Sequence, residues 1–89
     1  MNNRIHFYEN GNISSIMNYK NGVLDGVSEH YYENGILMFK TNYKNGKQEG
    51  IHERFNEKGK IVLITTFKNG VEVSKKNQLS IWILNRIKF

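Results

Sequence analysis

Apolar and aromatic residues occur along this chain in short runs separated by dipeptides that end in glycine. Runs such as Ile5–Tyr8 and Ile36–Phe39 are rich in aromatic and β-branched side chains, a composition that favours strands. Asn-Gly or Lys-Gly pairs stand between the runs, and a pair of this kind is a strong hairpin signal. The pattern therefore predicts a series of antiparallel β-hairpins.

The hairpin pattern is repeated with a period of 24 residues. Tyr31–Gly35 and Tyr43–Gly50 form the central copy, and similar residues stand 24 positions before and after them. All eight glycines fall on this period. An internal period of this length indicates stacked repeats with a shared core. We place the repeats at 4–26, 27–50 and 51–74, followed by a tail at 75–89 in the same domain.

The turn sequences predict the pairing of the strands. A two-residue loop would need positive φ at Asn10, Asn34 and Lys58, and lysine adopts it poorly. A three-residue loop, a type I turn followed by a glycine bulge, requires positive φ only of glycine. This choice places Phe7 opposite Ile13, with the equivalent pairs in the other two repeats.

Strict alternation from these turns predicts one buried apolar face and one mixed face. The apolar face is expected to hold Ile5, Phe7, Ile13, Met17 and Tyr19; Val27, Tyr31, Leu37, Phe39 and Tyr43; and Ile51, Phe55, Ile61, Leu63 and Phe67. The mixed face is expected to hold His6, Tyr8 and Ile16; His30, Tyr32, Ile36, Met38 and Lys40; and His52, Arg54, Val62 and Ile64.

The tail is expected to cover the end of the array. Ile61–Ile64 is apolar on both faces, which implies cover on both. Residues 77–89 carry apolar side chains at helical spacing after Asn77, which favours a short capping helix. The segment is also rich in isoleucine, so a final strand remains an alternative. The first hairpin is expected to leave an exposed edge, available for pairing or for a homodimer.

Composition limits the classes of function. The chain has 89 residues, no cysteine and a formal charge of +5. The repeats are nearly balanced in charge, whereas the tail holds four cations and no acid. A nucleic-acid binder usually spreads a basic stripe over one face, so nucleic acid is not expected. No membrane span or secretory signal is evident, which favours the cytoplasm. The abundance of Asn, Lys, Ile and Tyr, with no Pro and no Ala, favours a bacterial or phage source.

Candidate catalytic and metal-binding residues are weak. His6, His30 and His52 stand in different hairpins and are not expected to converge on a metal. Glu9, Glu33 and Glu57 belong to the turn pattern, where an exposed carboxylate is common. We therefore expect neither an enzyme nor a cofactor.

The periodic residues resemble the MORN repeat, specifically the bacterial variant found in YwqK-like antitoxins. The resemblance rests on Tyr31–Gly35, on Tyr43–Gly46 and on Gly50, and covers about residues 4–74. The third repeat departs from it at Asn56, Lys58 and Ser74. The resemblance implies a curved single sheet of stacked hairpins used as a binding scaffold, and neutralisation of a toxin by direct binding.

The expected function is binding of another protein, as an antitoxin, an immunity protein or a phage-encoded inhibitor. Aromatic residues, methionine and arginine are enriched in interfaces, which selects a partner surface of Tyr8, His30, Tyr32, Met38, Lys40 and Arg54. Packing of these residues among themselves is the structural alternative. A membrane-surface role through the tail is the second hypothesis, carried by Lys75, Lys76, Trp82, Arg86 and Lys88.

Overall fold

The computed structural model of the protein describes residues 2–77, which form one nine-stranded antiparallel sheet. The strands are β1 (Asn2–Phe7), β2 (Ile13–Lys20), β3 (Val23–Leu24), β4 (Gly26–Tyr31), β5 (Leu37–Lys44), β6 (Lys47–Gln48), β7 (Gly50–Phe55), β8 (Ile61–Lys68) and β9 (Val71–Asn77). Their order is β1-β2-β4-β5-β7-β8-β9, with β3 on β2 and β6 on β5. The expected single sheet of stacked hairpins is therefore confirmed.

The start of the predicted tail is a strand. Lys75 and Lys76 belong to β9, which pairs with β8. The described residues 2–77 contain no helix. Residues 75–77 therefore agree with the alternative of a final strand, while residues 78–89, over which the helix was preferred, lie outside the described residues.

The long hairpin turns have the predicted form. Tyr8 donates its N–H to the Asn12 carbonyl at 2.8 Å, and Gly11 donates to the Tyr8 carbonyl at 3.0 Å. Gly11 has φ of 93°, the left-handed conformation that glycine adopts without strain. Phe7 pairs with Ile13, as predicted, and the equivalent turns repeat this arrangement.

A β-bulge immediately after each turn changes the register. Phe7 pairs with Ile13, but His6 pairs with Ser15, so Ser14 is an extra residue on β2. Met38 and Val62 are the extra residues in the next two hairpins. A one-residue shift moves all following side chains to the other face of the sheet.

The predicted faces are therefore wrong beyond the bulge. Because paired residues share a face, Ile5 lies with Ile16, and His30 lies with Phe39. What we call the aliphatic face carries Ile5, Phe7, Ile13, Ile16, Val27, Glu29, Tyr31, Leu37, Lys40, Ile51, Glu53, Phe55, Ile61 and Ile64. What we call the hydroxyl face carries Arg4, His6, Ser15, Met17, Tyr19, Ser28, His30, Phe39, Thr41, Tyr43, His52, Arg54, Leu63, Thr65 and Phe67.

The most buried side chains are small and polar. Ser15, Ser28, Thr41 and Thr65 are between 1% and 7% exposed, and none of the hydrophobic side chains in 2–77 falls in that class. All four lie on the hydroxyl face. The least exposed positions of the described sheet are therefore hydroxyl residues rather than a hydrophobic core.

Side-chain hydrogen bonds join successive hairpins at the long turns. The Tyr8 hydroxyl donates to the Tyr31 carbonyl, and the amide of Asn10 donates to the Glu33 carbonyl at 2.9 Å. One repeat later, Tyr32 donates to Phe55 at 2.8 Å and Asn34 to Glu57 at 3.2 Å. These bonds fix the stacking of one repeat on the next.

A second set of bonds joins the hairpins at the short turns. The Asp25 carboxylate accepts the N–H of Asn45 at 3.1 Å, and Glu49 accepts that of Asn69 at 2.8 Å. Asn45 and Asn69 have φ of 52° and 51°, a conformation in which asparagine is enriched. The period of 24 residues thus corresponds to a repeated set of junction contacts.

The last strand lacks one feature of the repeat. Gly26 and Gly50 have φ of 99° and 89°, whereas Ser74 occupies the equivalent place within β9. The pairing of β9 with β8 is also shifted by one residue relative to the other repeats. Thr65 lies opposite Lys75, whereas the repeat would place it opposite Lys76. Lys75 consequently lies on the hydroxyl face and Lys76 on the aliphatic face.

Candidate functional surface

The structure separates the residues of the predicted partner surface. His30 and Arg54 lie on the hydroxyl face, and Lys40 lies on the aliphatic face. Met38 is a bulge residue. Tyr8 and Tyr32 belong to the long turns, where their hydroxyl groups join successive repeats. Of the predicted tail residues, Trp82, Arg86 and Lys88 lie outside the described residues.

His30 and Arg54 meet around an aromatic ring that the predicted partner surface does not include. His30 stacks on Phe39 with ring centroids 4.4 Å apart, and the Phe39 and His52 centroids are 5.3 Å apart. His52 in turn meets Phe67 edge-on at 6.4 Å. The Arg54 guanidinium carbon lies 5.9 Å from the Phe39 centroid, within cation–π range.

The same type of contact occurs at the first strand, where the guanidinium of Arg4 lies 5.6 Å from the Tyr19 centroid. We call this set the aromatic–basic row; it consists of Arg4, Tyr19, His30, Phe39, His52, Arg54 and Phe67. All seven residues lie on the hydroxyl face, from β1 to β8. The Arg4–Tyr19 pair stands apart from the cluster around Phe39, because His30 pairs with Ser15, four residues before Tyr19 on β2.

The hydroxyl face carries few acids. Arg4, Arg54 and Lys75 lie on this face; among residues 2–77, the strand acid on it is Glu72, which pairs with Phe67 at its margin. Cations therefore outnumber acids among the strand residues of this face.

The two histidines of the row contribute aromatic surface rather than charge near neutral pH. Burial lowers the pKa of His30 from its ordinary value of 6.5. Burial, with a smaller effect of the Arg54 charge, also lowers the pKa of His52. Both rings are thus predominantly neutral around pH 7, and the positive charge of the face belongs to arginine and lysine.

The aliphatic face combines exposed apolar groups with paired charges. Ile5 and Ile51 are 45% and 51% exposed. Lys40 stands between Glu29 and Glu53 on the neighbouring strands. Burial, followed by the Glu29 charge and a hydrogen bond to it, raises the pKa of Tyr31. Cations outnumber acids on this face, because the register also places Lys20, Lys44, Lys47, Lys68 and Lys76 on it, mostly at the strand ends.

Two other kinds of site are absent from the described residues. Within residues 2–77, no group of three or more His, Asp or Glu side chains is placed to hold a metal ion. The described part of the chain also has no helix long and apolar enough to cross a membrane.

Comparison with known protein families matches residues 3–21, 24–45 and 48–69 to the MORN repeat variant. The chain belongs to this family. Each matched segment contains one of the long hairpins, β1–β2, β4–β5 or β7–β8, and MORN repeats are generally scaffolds for binding. No curated protein and no solved structure matches the chain.

Sequence reasoning missed Phe39, Phe67 and Tyr19 as members of a MORN-variant surface. Alternation without a bulge places these rings with the apolar side chains and places His30 opposite them. The spacing of Phe39, Thr41 and Tyr43 does not indicate the shift, because these residues share a face with or without the bulge at Met38.

Proposed function

We propose that this MORN-variant chain is a non-catalytic scaffold that binds an acidic surface of another protein through the aromatic–basic row. The observation that carries the proposal is the cation–π pairing of Arg54 with Phe39 on a face that has few acids. Arginine and aromatic residues are the types that contribute most to protein interfaces.

The geometry suits a partner better than a small ligand. The row extends over neighbouring strands of an open sheet, and Arg4 and Arg54 are both exposed. Electrostatic attraction would orient an acidic partner toward this face and accelerate its association. Neutralisation of a toxin by occupying its surface, as an antitoxin or immunity protein in the cytoplasm, is the specific form of this function that we propose.

Affinity purification from the native source with matched variants tests the proposal. Arg54→Gln removes the charge over Phe39, while Lys40→Gln removes one cation from the opposite face. We expect recovery of a stoichiometric protein partner to fall about tenfold or more with Arg54→Gln and to change little with Lys40→Gln. Equal recovery with both variants would contradict binding through the row.

Two further measurements separate the specific forms of the function. Co-expression with a toxic partner should restore growth with the wild-type protein and fail with Arg54→Gln. Flotation with anionic liposomes tests the membrane hypothesis, for which Lys75 and Lys76 are the described cations. Flotation that requires residues 78–89, in the absence of any protein partner, would favour the membrane role instead.

A further inference from the structure

A cleft at the short turns of the second and third repeats is lined by three lysine side chains. Its volume is about 470 Å³, and the residues that line it are Lys44, Asn45, Lys47, Glu49, Lys68 and Asn69. The lysines lie on the aliphatic face, on the side of the sheet opposite the aromatic–basic row. Three cations and one acid therefore surround a space of the size that small ligands occupy.

Lys47 distinguishes this cleft from the equivalent one in the preceding repeat. Lys44 and Lys47 stand directly opposite each other on β5 and β6. In the other two repeats a valine takes this place, opposite Lys20 in the first and opposite Lys68 in the third. Like charges directly opposite each other destabilise a strand pair. The second repeat thus contains an unfavourable lysine pair that the other repeats lack, and an anion in the cleft would offset the repulsion.

The stem of Lys47 lies against the next short turn. Its Cβ, Cγ and Cδ atoms are 3.7, 3.8 and 3.9 Å from the point at which a Cβ atom would stand on Gly70. The stem therefore crosses from the second repeat to the turn that follows Lys68. Val23 packs in the same way, with its Cβ atom 3.9 Å from the corresponding point on Gly46. A lysine at position 23 would consequently follow the same path in the first cleft.

The backbone N–H groups at this cleft are already bonded within the protein. Asn69 donates its N–H to the Glu49 carboxylate at 2.8 Å, and Asn45 donates to the Asp25 carboxylate at 3.1 Å. The glycine after each asparagine donates to a carbonyl of the preceding repeat. An anion in the cleft would therefore be bound by ammonium groups, which act as point charges. Affinity should then follow the charge of the ligand, which favours a diphosphate over a single phosphate or sulfate.

We propose that this cleft binds a soluble ligand that carries two adjacent phosphate groups, with Lys44, Lys47 and Lys68 as the residues that contact them. The site goes beyond the proposed function, because it lies on the other face of the sheet and uses no residue of the aromatic–basic row. Lys47 is the residue on which the site depends, since the lysines at the other two positions recur in every repeat.

A pair of compensating substitutions moves the proposed site from one cleft to the other. Lys47→Val gives the second repeat the residue that stands in the other two. Val23→Lys adds a third lysine to the first cleft, which Lys20 and Lys44 already line. The double variant has the same amino-acid composition and net charge as the wild type, so it changes only the position of the cation.

Titration with inorganic pyrophosphate at low salt, followed through the backbone amide signals by NMR, locates the bound anion. In the wild type, we expect the largest shifts at residues 44–47 and 68–69. In the double variant, the largest shifts should move by one repeat, to residues 20–23 and 44–45.

Single variants measure the contribution of Lys47. Lys47→Val alone should weaken pyrophosphate binding about tenfold, because one charge-assisted contact is lost. Lys40→Gln removes a cation from the same face outside the cleft and should weaken binding less than about twofold. Arg54→Gln should leave binding unchanged, so this proposal and the proposed function fail independently. Circular dichroism establishes that each variant is folded, and Lys47→Gln provides the same comparison if Lys47→Val is not.

Three results would overturn the proposal. The largest shifts in the double variant could remain at the second cleft, or Lys47→Val could bind pyrophosphate as tightly as Lys40→Gln does. Sulfate at the same ionic strength could also produce the same shifts as pyrophosphate, which would mean that the lysines respond to ionic strength alone.

Discussion

Tyr32→Phe tests whether single side-chain hydrogen bonds hold the repeats together. The Tyr32 hydroxyl donates to the Phe55 carbonyl at 2.8 Å across the junction between the second and third repeats. Phenylalanine keeps the ring and removes this donor alone. The change therefore isolates one contact between repeats while leaving the strand ladders intact.

The expected loss follows from the nature of this bond. A hydrogen bond in a protein contributes about 0.5–1.5 kcal/mol to stability after exchange with water. In a stack of repeats, each junction contributes its own free energy to the stability of the array. The loss of this bond therefore weakens only the junction between the second and third repeats. For a domain of this size, 1 kcal/mol lowers the melting temperature by about 4–8 °C.

Thermal and urea unfolding, followed by circular dichroism, measure the loss. Tyr43→Phe is the matched control, because the Tyr43 hydroxyl has no side-chain hydrogen bond within residues 2–77. We expect the control to lie within about 0.5 kcal/mol of wild type. If Tyr32→Phe destabilises the protein no more than Tyr43→Phe, the junction bonds do not stabilise the array.

Three further predictions concern the turns, the aromatic–basic row and pH. Gly35→Ala should lower the free energy of unfolding, measured in urea, by about 1–2 kcal/mol, because Gly35 has φ of 90°. Gly35→Asn should lower it less, because asparagine tolerates positive φ better than alanine. Equal losses for the two variants would contradict the explanation by backbone strain. Phe39→Ala should lower the free energy of unfolding by about 2–3 kcal/mol, since the Phe39 ring contacts His30 and His52. Phe39→Leu should retain most of the stability. The folded-state pKa values of His30 and His52 are lowered, so the unfolded chain binds more protons and the free energy of unfolding should fall as pH drops from about 7.5 to about 5.5. The double variant His30→Gln/His52→Gln should reduce this fall; an unchanged pH dependence would contradict the assignment.

The turns and the period could be predicted because they depend on local backbone chemistry. Only glycine adopts positive φ readily, and Gly11, Gly35 and Gly59 occupy the positions at which the three-residue loops require it. Their regular spacing was sufficient to predict stacked hairpins. The pairing at each turn followed from loop length.

The faces could not be predicted in the same way because the bulge has no equivalent residue signal. Ser14, Met38 and Val62 are the extra residues, and they share neither size nor polarity. None of them has positive φ. The bulge forms where the turn joins the strand, so it depends on the geometry of both. It adds one residue to the strand, which moves every later side chain of that strand to the opposite face.

The bulge also decides on which face each residue of the predicted partner surface lies. His30 and Arg54 lie on one face, as expected, because the bulge residues are on β5 and β8 rather than on their own strands, β4 and β7. Lys40 was assigned to the same face because the expected alternation did not include the bulge at Met38. The roles of Tyr8 and Tyr32 in joining the repeats depend on contacts between hairpins, which a register within one hairpin does not include.

The strand order has a consequence for the rate at which this protein folds. Apart from the short β3 and β6, the strands lie in the sheet in the order of the chain, with no crossover between distant segments. The described pairings therefore join only segments that are near one another in sequence. Folding rates fall as contacts become more distant along the chain, which is why sandwiches and barrels fold slowly. This sheet can form one hairpin after another, so it should fold faster than a β-sandwich of similar length and expose its strand edges to aggregation for less time.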